Sequence, residues 1–276
     1  MWQETSDGLT ASSRAAHAGH AARGTRHPVG FTLIELLVVI SIMGIIAALS
    51  VPALKNLGKS NIAVSAGRQL LDDVGRARQL AVSQHTTVYM VFVPESFWLY
   101  PGIAGIYTTG LTNLCDKQLT GYTFFSFHSV GDQPGQTSTS YLSEWKSLPD
   151  NTFIPSWKFN IRSVFVLPTI VNNRSVPGFE RITQFMPLPD INSPASCTNL
   201  PFIAFDYQGR LTSGQDEYIP LAQGSVGYAK DANKNLYFAA PSVTETPPGN
   251  STNSMYNIVH IDRLTGRATL EYQRVQ

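Results

Sequence analysis

Residues 30–54 read GFTLIELLVVISIMGIIAALSVPAL, and between Phe31 and Leu54 the only ionisable side chain is Glu35. About 20 apolar residues are enough for a helix to cross the core of a bilayer. The apolar stretch of a secretory signal peptide is shorter, about 7–15 residues. A helix buried in a soluble core would carry a polar stripe, which this stretch lacks. Its length and composition therefore predict a transmembrane helix at residues 31–54.

Glu35 is the one costly residue in this stretch. A carboxylate inside a bilayer costs roughly 3 kcal/mol when nothing compensates it, and such residues are usually paired and functional. The flanking charges are balanced, since Arg14, Arg23 and Arg26 precede the stretch and Lys55, Lys59 and Arg68 follow it. The positive-inside rule therefore gives no orientation for the predicted helix.

Helical periodicity continues over residues 55–84. Small and apolar side chains recur at three-, four- and seven-residue spacings, which places them on one face of a helix. They are Ala63, Leu70, Val74, Ala77 and Ala81. We predict one helix from about residue 31 to about residue 83. A kink is expected just before Pro52, because proline inside a helix removes a hydrogen bond and clashes one turn back.

After residue 85 the pattern becomes typical of strands. Runs of β-branched and aromatic residues bounded by turn residues predict strands at 86–93, 122–130, 163–170, 201–207, 235–240 and 256–262. Gly209 and Gly266 can supply the positive φ that hairpin turns need. Loops of Pro, Gly and small polar residues are expected at 131–140 and 244–254. The predicted fold class is α+β, with a long N-terminal helix, half in the membrane and half amphipathic, packed on an antiparallel β-sheet domain.

Charge and cysteine content limit the function classes. The chain of 276 residues has a net charge of +1, and the part after residue 30 carries 17 basic and 17 acidic residues. This balance argues against a nucleic-acid partner. The two cysteines, Cys115 and Cys197, fit either one disulfide in an oxidising compartment or two unrelated small apolar side chains.

No motif for catalysis or metal binding is present in the sequence. HExxH and paired Cys-x-x-Cys patterns are absent, and the histidines after residue 30, His85, His128 and His260, are widely spaced. The run KDANKN at 230–235 has oxygen ligands that calcium could use, but a solvated turn is the plainer interpretation. We predict no enzyme activity, no catalytic residue, no metal and no cofactor.

The stretch at 30–54 resembles the N-terminal segment of type IV pilins and type II secretion pseudopilins. The resemblance implies that a prepilin peptidase cuts between Gly30 and Phe31 and methylates the new N-terminus at Phe31. Glu35 then becomes the fifth mature residue and Pro52 the twenty-second. In this family the glutamate meets the N-terminal amine of a neighbouring subunit, which implies an assembly role for Glu35.

Three further stretches are similar to H-type minor pseudopilins and related minor pilins. They are SAGRQLLDDVGRARQLAVSQHTTVYMVF (65–92), FIAFDYQGRL (202–211) and YNIVHIDRLTGRATLEY (256–272). Together the resemblances imply a prepilin leader (1–30), a transmembrane helix (31–54), its amphipathic continuation (55–84) and a periplasmic or extracellular β-rich domain (85–276).

The implied function is that of a minor structural subunit of a type II secretion pseudopilus or a type IV pilus. The alternative is a binding module displayed on such a filament, for example a minor pilin that captures DNA. The implied partners are other pilin or pseudopilin subunits, prepilin peptidase and the bacterial inner membrane, which the chain would cross once.

Overall fold

The structure, a computed structural model, describes most of the chain from Thr32 to Tyr272. The described residues are 32–106, 109–133, 136, 138–162, 169–171, 174–188, 196–233, 235–252 and 257–272, with the backbone alone at 49–63, 109, 171, 174 and 272. The chain forms two compact units, Met1–Pro52 and Ala53–Gln276.

The predicted long helix is present as α1, Leu33–Gln84. It continues through Pro52, and the kink expected there stays a prediction. In the second unit the predicted apolar face is confirmed, because its described members, Leu70, Val74, Ala77 and Ala81, are all 0% exposed. Ala63 lies among the residues of which only the backbone is described.

The rest of the fold consists of strands and short helices. A helix α2 spans Thr109–Thr112, and 3-10 helices span Phe97–Leu99, Cys115–Lys117 and Ser156–Phe159. The strands are β1 (Val88–Phe92), β2 (Gly121–Ser126), β3 (Ser140–Tyr141), β4 (Lys146–Ser147), β5 (Thr152–Phe153), β6 (Thr169–Val171), β7 (Arg174–Val176), β8 (Glu180–Arg181), β9 (Met186–Pro187), β10 (Ser196–Cys197), β11 (Pro201–Phe205), β12 (Glu217–Gly227), β13 (Ser242–Glu245), β14 (Asn257–Ile261) and β15 (Ala268–Tyr272). Every pairing among the described strands is antiparallel.

The first sheet has the order β3-β2-β1-β11-β8, and β4 also pairs with β2. Successive side chains of a strand point to opposite faces, and here both faces are buried. On β1, Met90 and Phe92 belong to a core cluster that includes α1, whereas Val91 belongs to a second cluster. On β2, Phe124 and Phe125 divide in the same way. Two-sided burial explains why β1 is an unbroken apolar run and not an alternating one.

The second sheet has the order β13-β12-β14-β15, and β5 also pairs with β12. Its side chains join the core cluster that contains α1 and one face of the first sheet. The approach of helix to sheet is close at Gly67, where a Cβ atom would lie 2.8 Å from Leu270 Cδ2. The predicted arrangement of an amphipathic helix on an antiparallel sheet is therefore found within the second unit.

A buried ionic group attaches the segment around residues 158–162 to β12. Lys158 is 0% exposed, its Nζ lies 3.1 Å from Glu217 Oε2, and it donates to the Pro177 carbonyl at 2.8 Å. The Arg162 guanidinium pairs with the other oxygen of the same carboxylate. Burial lowers the pKa of Lys158, and the Glu217 charge acts in the opposite direction. Breaking one member would leave a buried charge without its partner.

Two local predictions differ from the structure. The strand predicted at 235–240 is wrong, since the described residues there form only an isolated bridge between Lys230 and Leu236. The side chain of Phe238 instead packs on Trp98, with ring centroids 6.0 Å apart. The longest strand, β12, was not predicted, because Pro220 and Gly224 inside it are turn signals.

Other local predictions are confirmed. Gly209 and Gly266 have φ angles of +78° and +61°, as the predicted turns require. The run at 230–235 is a turn, in which the Asp231 carboxylate accepts the backbone N–H groups of Asn233 and Asn235. Most of the strand predicted at 163–170 lies outside the described residues.

Candidate functional site

The predicted processing site, Gly30 and Phe31, lies outside the described residues. Thr32 precedes α1, and its Oγ1 accepts the backbone N–H of Glu35 at 3.3 Å. This is the geometry of an N-cap, and Thr32-Leu-Ile-Glu35 has the T-x-x-E pattern of a capping box. The sequence prediction missed this role of Thr32, although the pattern itself was visible.

Glu35 lies in the first turn of α1. A carboxylate is favourable there, because the first backbone N–H groups of a helix give its N-terminus partial positive charge. Within the described part of the chain, the Glu35 carboxylate has no ion pair and accepts no hydrogen bond. The predicted partner, an N-terminal amine at Phe31 of a neighbouring subunit, stays a prediction.

The apolar side chains that follow Glu35 are exposed. Every described side chain from 32 to 48 is exposed. The large ones among them are Leu33, Ile34, Leu36, Leu37, Val38, Val39, Ile40, Ile42, Met43, Ile45 and Ile46. An exposed apolar surface of this extent marks a site that lipid or another protein covers. None of the helices, taken over the described residues, is long and apolar enough to span a membrane.

The two cysteines are free thiols in the structure, and both are buried. Cys115 and Cys197 belong to the same cluster, on the face of the first sheet away from α1. Burial raises the pKa of Cys115 to about 11 and that of Cys197 to about 12. Neither thiol is therefore activated as a nucleophile at neutral pH. The possible disulfide between them stays a prediction.

A buried carboxylate on α1 was not anticipated from the sequence. Asp73 accepts a hydrogen bond from the Tyr122 hydroxyl at 2.6 Å and pairs with Lys146 Nζ at 2.5 Å. It lines an open cleft with exposed Arg68 and Asp72. Its partners are 49 and 73 residues away in sequence, so no local pattern could indicate the contact. The group fixes α1 to the first sheet and shows no catalytic geometry.

Two turns with related sequences meet beside the last turns of α1. They read DYQGR (206–210) and DRLTGR (262–267), and the side chain of the aspartate in each accepts backbone N–H groups of its own turn. The turns touch so closely that a Cβ atom at Gly266 would lie 2.0 Å from the Gly209 carbonyl oxygen. Glycine at position 266 is therefore required for the contact, in addition to its positive φ.

The contact between the turns brings four arginines into one region. Arg78 of α1 donates to the Thr265 carbonyl at 2.6 Å, and Arg210 pairs with Asp206 at 2.9 Å. Arg263 and Arg267 are exposed. Among the described residues, the latter two guanidinium groups have no ion pair. We call Arg78, Arg210, Arg263 and Arg267 the arginine turns. The sequence did not indicate this cluster, because the net charge of the chain is balanced.

Comparison with known proteins bears on the N-terminal segment alone. Residues 30–51 match the family model of the prokaryotic N-terminal methylation motif. No curated protein and no solved structure matches the chain. The segment is thus of the prepilin type, and it indicates a membrane-anchored precursor that is a substrate of prepilin peptidase. The finer resemblance to H-type minor pseudopilins stays a prediction.

Proposed function

We propose that the chain is a minor structural subunit of a type II secretion pseudopilus or a type IV pilus. Prepilin peptidase would remove residues 1–30 and methylate Phe31, and the mature chain would be anchored once in the bacterial inner membrane. Its β-rich domain would lie in the periplasm or on an extracellular filament. Its partners would be other pilin or pseudopilin subunits, and it would have no enzyme activity.

The observation that carries this proposal is the prepilin-type segment at 30–51, within which the helix presents exposed apolar side chains and one acid. Before cleavage Phe31 has no free amine. After cleavage it has a cationic one, and a carboxylate in a low-dielectric environment gains most from such a partner. An ion pair of this kind is strong when formed and costly when one member is missing. Cleavage would therefore create the group that makes Glu35 tolerable in an assembly.

The assembly role can be tested by the change Glu35→Ala. Insertion, cleavage and folding should be retained, because removing a charge lowers the cost of insertion. Crosslinking or co-purification with the other filament subunits should be lost, together with secretion or piliation. Glu35→Gln, which keeps the shape and polarity but not the charge, should show a milder defect. Ser41→Ala, a polar change on the same exposed stretch, is the matched control and should assemble normally. Normal assembly of Glu35→Ala would refute the role of this residue.

A second candidate function, capture of DNA by a filament-displayed domain, is favoured by one observation. The arginine turns present two exposed guanidinium groups, Arg263 and Arg267, on the single turn at 262–267. Phosphate contacts from arginine supply much of the affinity of proteins for DNA and make it dependent on salt. The clustering of these arginines weakens the argument that a balanced net charge makes against a nucleic-acid partner.

The DNA alternative can be tested with the double change Arg263→Gln and Arg267→Gln. If the domain captures DNA, retention of the parent on a duplex should fall steeply with salt. The double variant should then bind more weakly, and the slope of log affinity against log salt should drop by about 1 for each lost phosphate contact. Lys230→Gln, an exposed charge elsewhere, should leave binding unchanged. If the parent does not bind DNA at low salt, the DNA alternative is refuted and only the structural role is left.

A further inference from the structure

A histidine in the second sheet lies between two carboxylates, and the proposed assembly does not use it. His260 belongs to β14, where it is paired with Tyr218 of β12 on one side and with Thr269 of β15 on the other. Its Nε2 lies 3.3 Å from Asp216 Oδ2, and its Nδ1 lies 3.2 Å from Glu271 Oε1. We call Asp216, His260 and Glu271 the His260 clamp.

The His260 clamp joins three elements of the second sheet. Asp216 directly precedes β12, His260 is in β14, and Glu271 is in β15. The other oxygen of the aspartate, Oδ1, accepts the backbone N–H of Arg263 at 2.9 Å. When the clamp is closed, it therefore fixes the start of β12 to both strands of the β14–β15 hairpin and to the turn between them.

Other charged and titratable groups lie around the imidazole. The ring of Tyr218 stacks on it, with centroids 4.7 Å apart and planes at 13°. The Asp262 carboxylate accepts hydrogen bonds within its own turn and interacts with His260 through its charge. The cations of the same turn, Arg263 and Arg267, have no ion pair among the described residues. The acidic groups in direct contact with the ring are therefore the two carboxylates of the clamp.

The hydrogen-bonding capacity of imidazole decides which protonation state fits the clamp. A neutral imidazole has one N–H group and one bare nitrogen, whereas an ionised carboxylate can only accept. Either neutral tautomer therefore sets a nitrogen lone pair against a carboxylate oxygen at one of the two contacts. The imidazolium has an N–H group at both positions, so it alone can donate to Asp216 and Glu271 together.

We propose that the His260 clamp is a pH-dependent device, which closes the β14–β15 hairpin on β12 when the imidazole is protonated and releases it when the proton is lost. Histidine changes its charge between about pH 5 and pH 8, so a modest change in pH is enough to operate the clamp. A contact that requires the proton adds stability on the acidic side of this range, and that stability is lost as the pH rises. Carboxyl groups ordinarily take up protons near pH 4, so the clamp weakens again below that pH.

The three side chains are partly exposed, which limits the size of the effect. The exposed fraction is 24% for His260 and 36% for each carboxylate. An ion pair at a surface changes an equilibrium constant by roughly 1.5- to 5-fold, so two pairs should change the opening of the hairpin by about two- to tenfold. The turn of this hairpin carries Arg263 and Arg267, so the clamp controls how firmly their backbone is held.

The test is hydrogen–deuterium exchange of the detergent-purified full chain at about pH 8 and about pH 5.5, on either side of the histidine range. Each amide rate is divided by the intrinsic rate at the same pH. Amides of residues 257–271 should be about two- to tenfold better protected at the lower pH. Amides of β1 (Val88–Phe92), in the first sheet, should show no such change and serve as the internal reference.

Three variants connect the response to the clamp, with folding checked by circular dichroism. His260→Gln keeps a polar side chain but removes the titrating group, so protection of the hairpin should become equal at the two pH values. Glu271→Gln keeps His260 and one of the two ion pairs, so the response should shrink but persist. His128→Gln changes an exposed histidine that follows β2 in the first sheet; it is the matched control and should respond as the parent does.

Several results would overturn the proposal. They are equal protection of the parent hairpin at both pH values, a response that persists in His260→Gln, and a response of the same size in β1. If His260→Gln does not fold, Glu271→Gln decides the question, because an unchanged response in that variant also overturns the proposal. None of these results bears on Glu35 or on cleavage after Gly30.

Discussion

At the scale of single residues, the carboxylates of this protein differ in their structural role, because their surroundings differ. Asp262 is fixed in its turn, where it accepts the backbone N–H groups of Leu264 and Thr265 at 3.1 and 2.7 Å. Asp73 is buried and paired across the fold, and Glu35 has no described partner in its own chain. Only the acid of Glu35 stood out in the sequence, because an apolar run surrounds it. The contacts of Asp73 depend on chain segments brought together by folding.

Asp262 gives a prediction about pH. The backbone N–H of Thr265, then its hydroxyl, lowers the pKa of Asp262 below its ordinary value of 3.8. A carboxyl with a depressed native pKa adds stability that is present above the ordinary value and lost as pH falls through the native one. Asp262→Ala should therefore unfold at lower urea concentration than the parent at pH 7, and the difference should narrow below about pH 4.

Urea unfolding of the detergent-purified chain, followed by circular dichroism from pH 7 to pH 2, measures this effect. Glu144→Ala removes an exposed carboxylate outside the turn and serves as the control; it should match the parent throughout. A difference for Asp262→Ala that is constant across this range would mean that the turn owes its stability to something other than the ionised carboxylate.

At the scale of elements, α1 was predictable and β12 was not. The spacing of Leu70, Val74 and Ala77 predicted the buried face of α1. A helix repeats every 3.6 residues whatever packs against it, so the pattern is visible in the local sequence. β12 pairs in succession with β14, β5 and β13 along Glu217–Gly227. A strand that changes partner can accommodate Pro220 and Gly224, and those residues hide it from a local pattern.

The element scale also gives a stability prediction for α1. Gly75 is exposed inside the helix, and a Cβ atom there would meet nothing within 4 Å. Gly75→Ala should raise the free energy of unfolding by about 0.5–1 kcal/mol, because alanine loses less conformational entropy in a helix than glycine does. Chemical denaturation with a constant m-value would measure the change.

Gly266→Ala provides the matched contrast. Its φ is +61°, and the added Cβ atom would lie 2.0 Å from the Gly209 carbonyl oxygen, so it should destabilise the protein strongly. A neutral or destabilising effect of Gly75→Ala would contradict an open, solvent-exposed environment at this helical position.

At the scale of the whole molecule, the two units differ in what they bury. The second unit buries apolar side chains in two clusters, on either face of the first sheet. The first unit leaves its described apolar side chains exposed. The domain of the second unit has its own buried core, whereas the described apolar side chains of the first unit have no core to pack into. Lipid or neighbouring helices must therefore cover them. The sequence indicated the exposed apolar helix, but the arginine turns depend on contacts between segments that are distant in the sequence.

The most direct test of the filament-subunit account is mass spectrometry of the N-terminus of the membrane-extracted protein. The chain should be produced in two strains, one with active prepilin peptidase and one with a catalytically inactive form. The active strain should give a mature protein that begins at an N-methylated Phe31, and the inactive strain should retain residues 1–30. An intact leader beside active peptidase, or a cut at any other position, would contradict it.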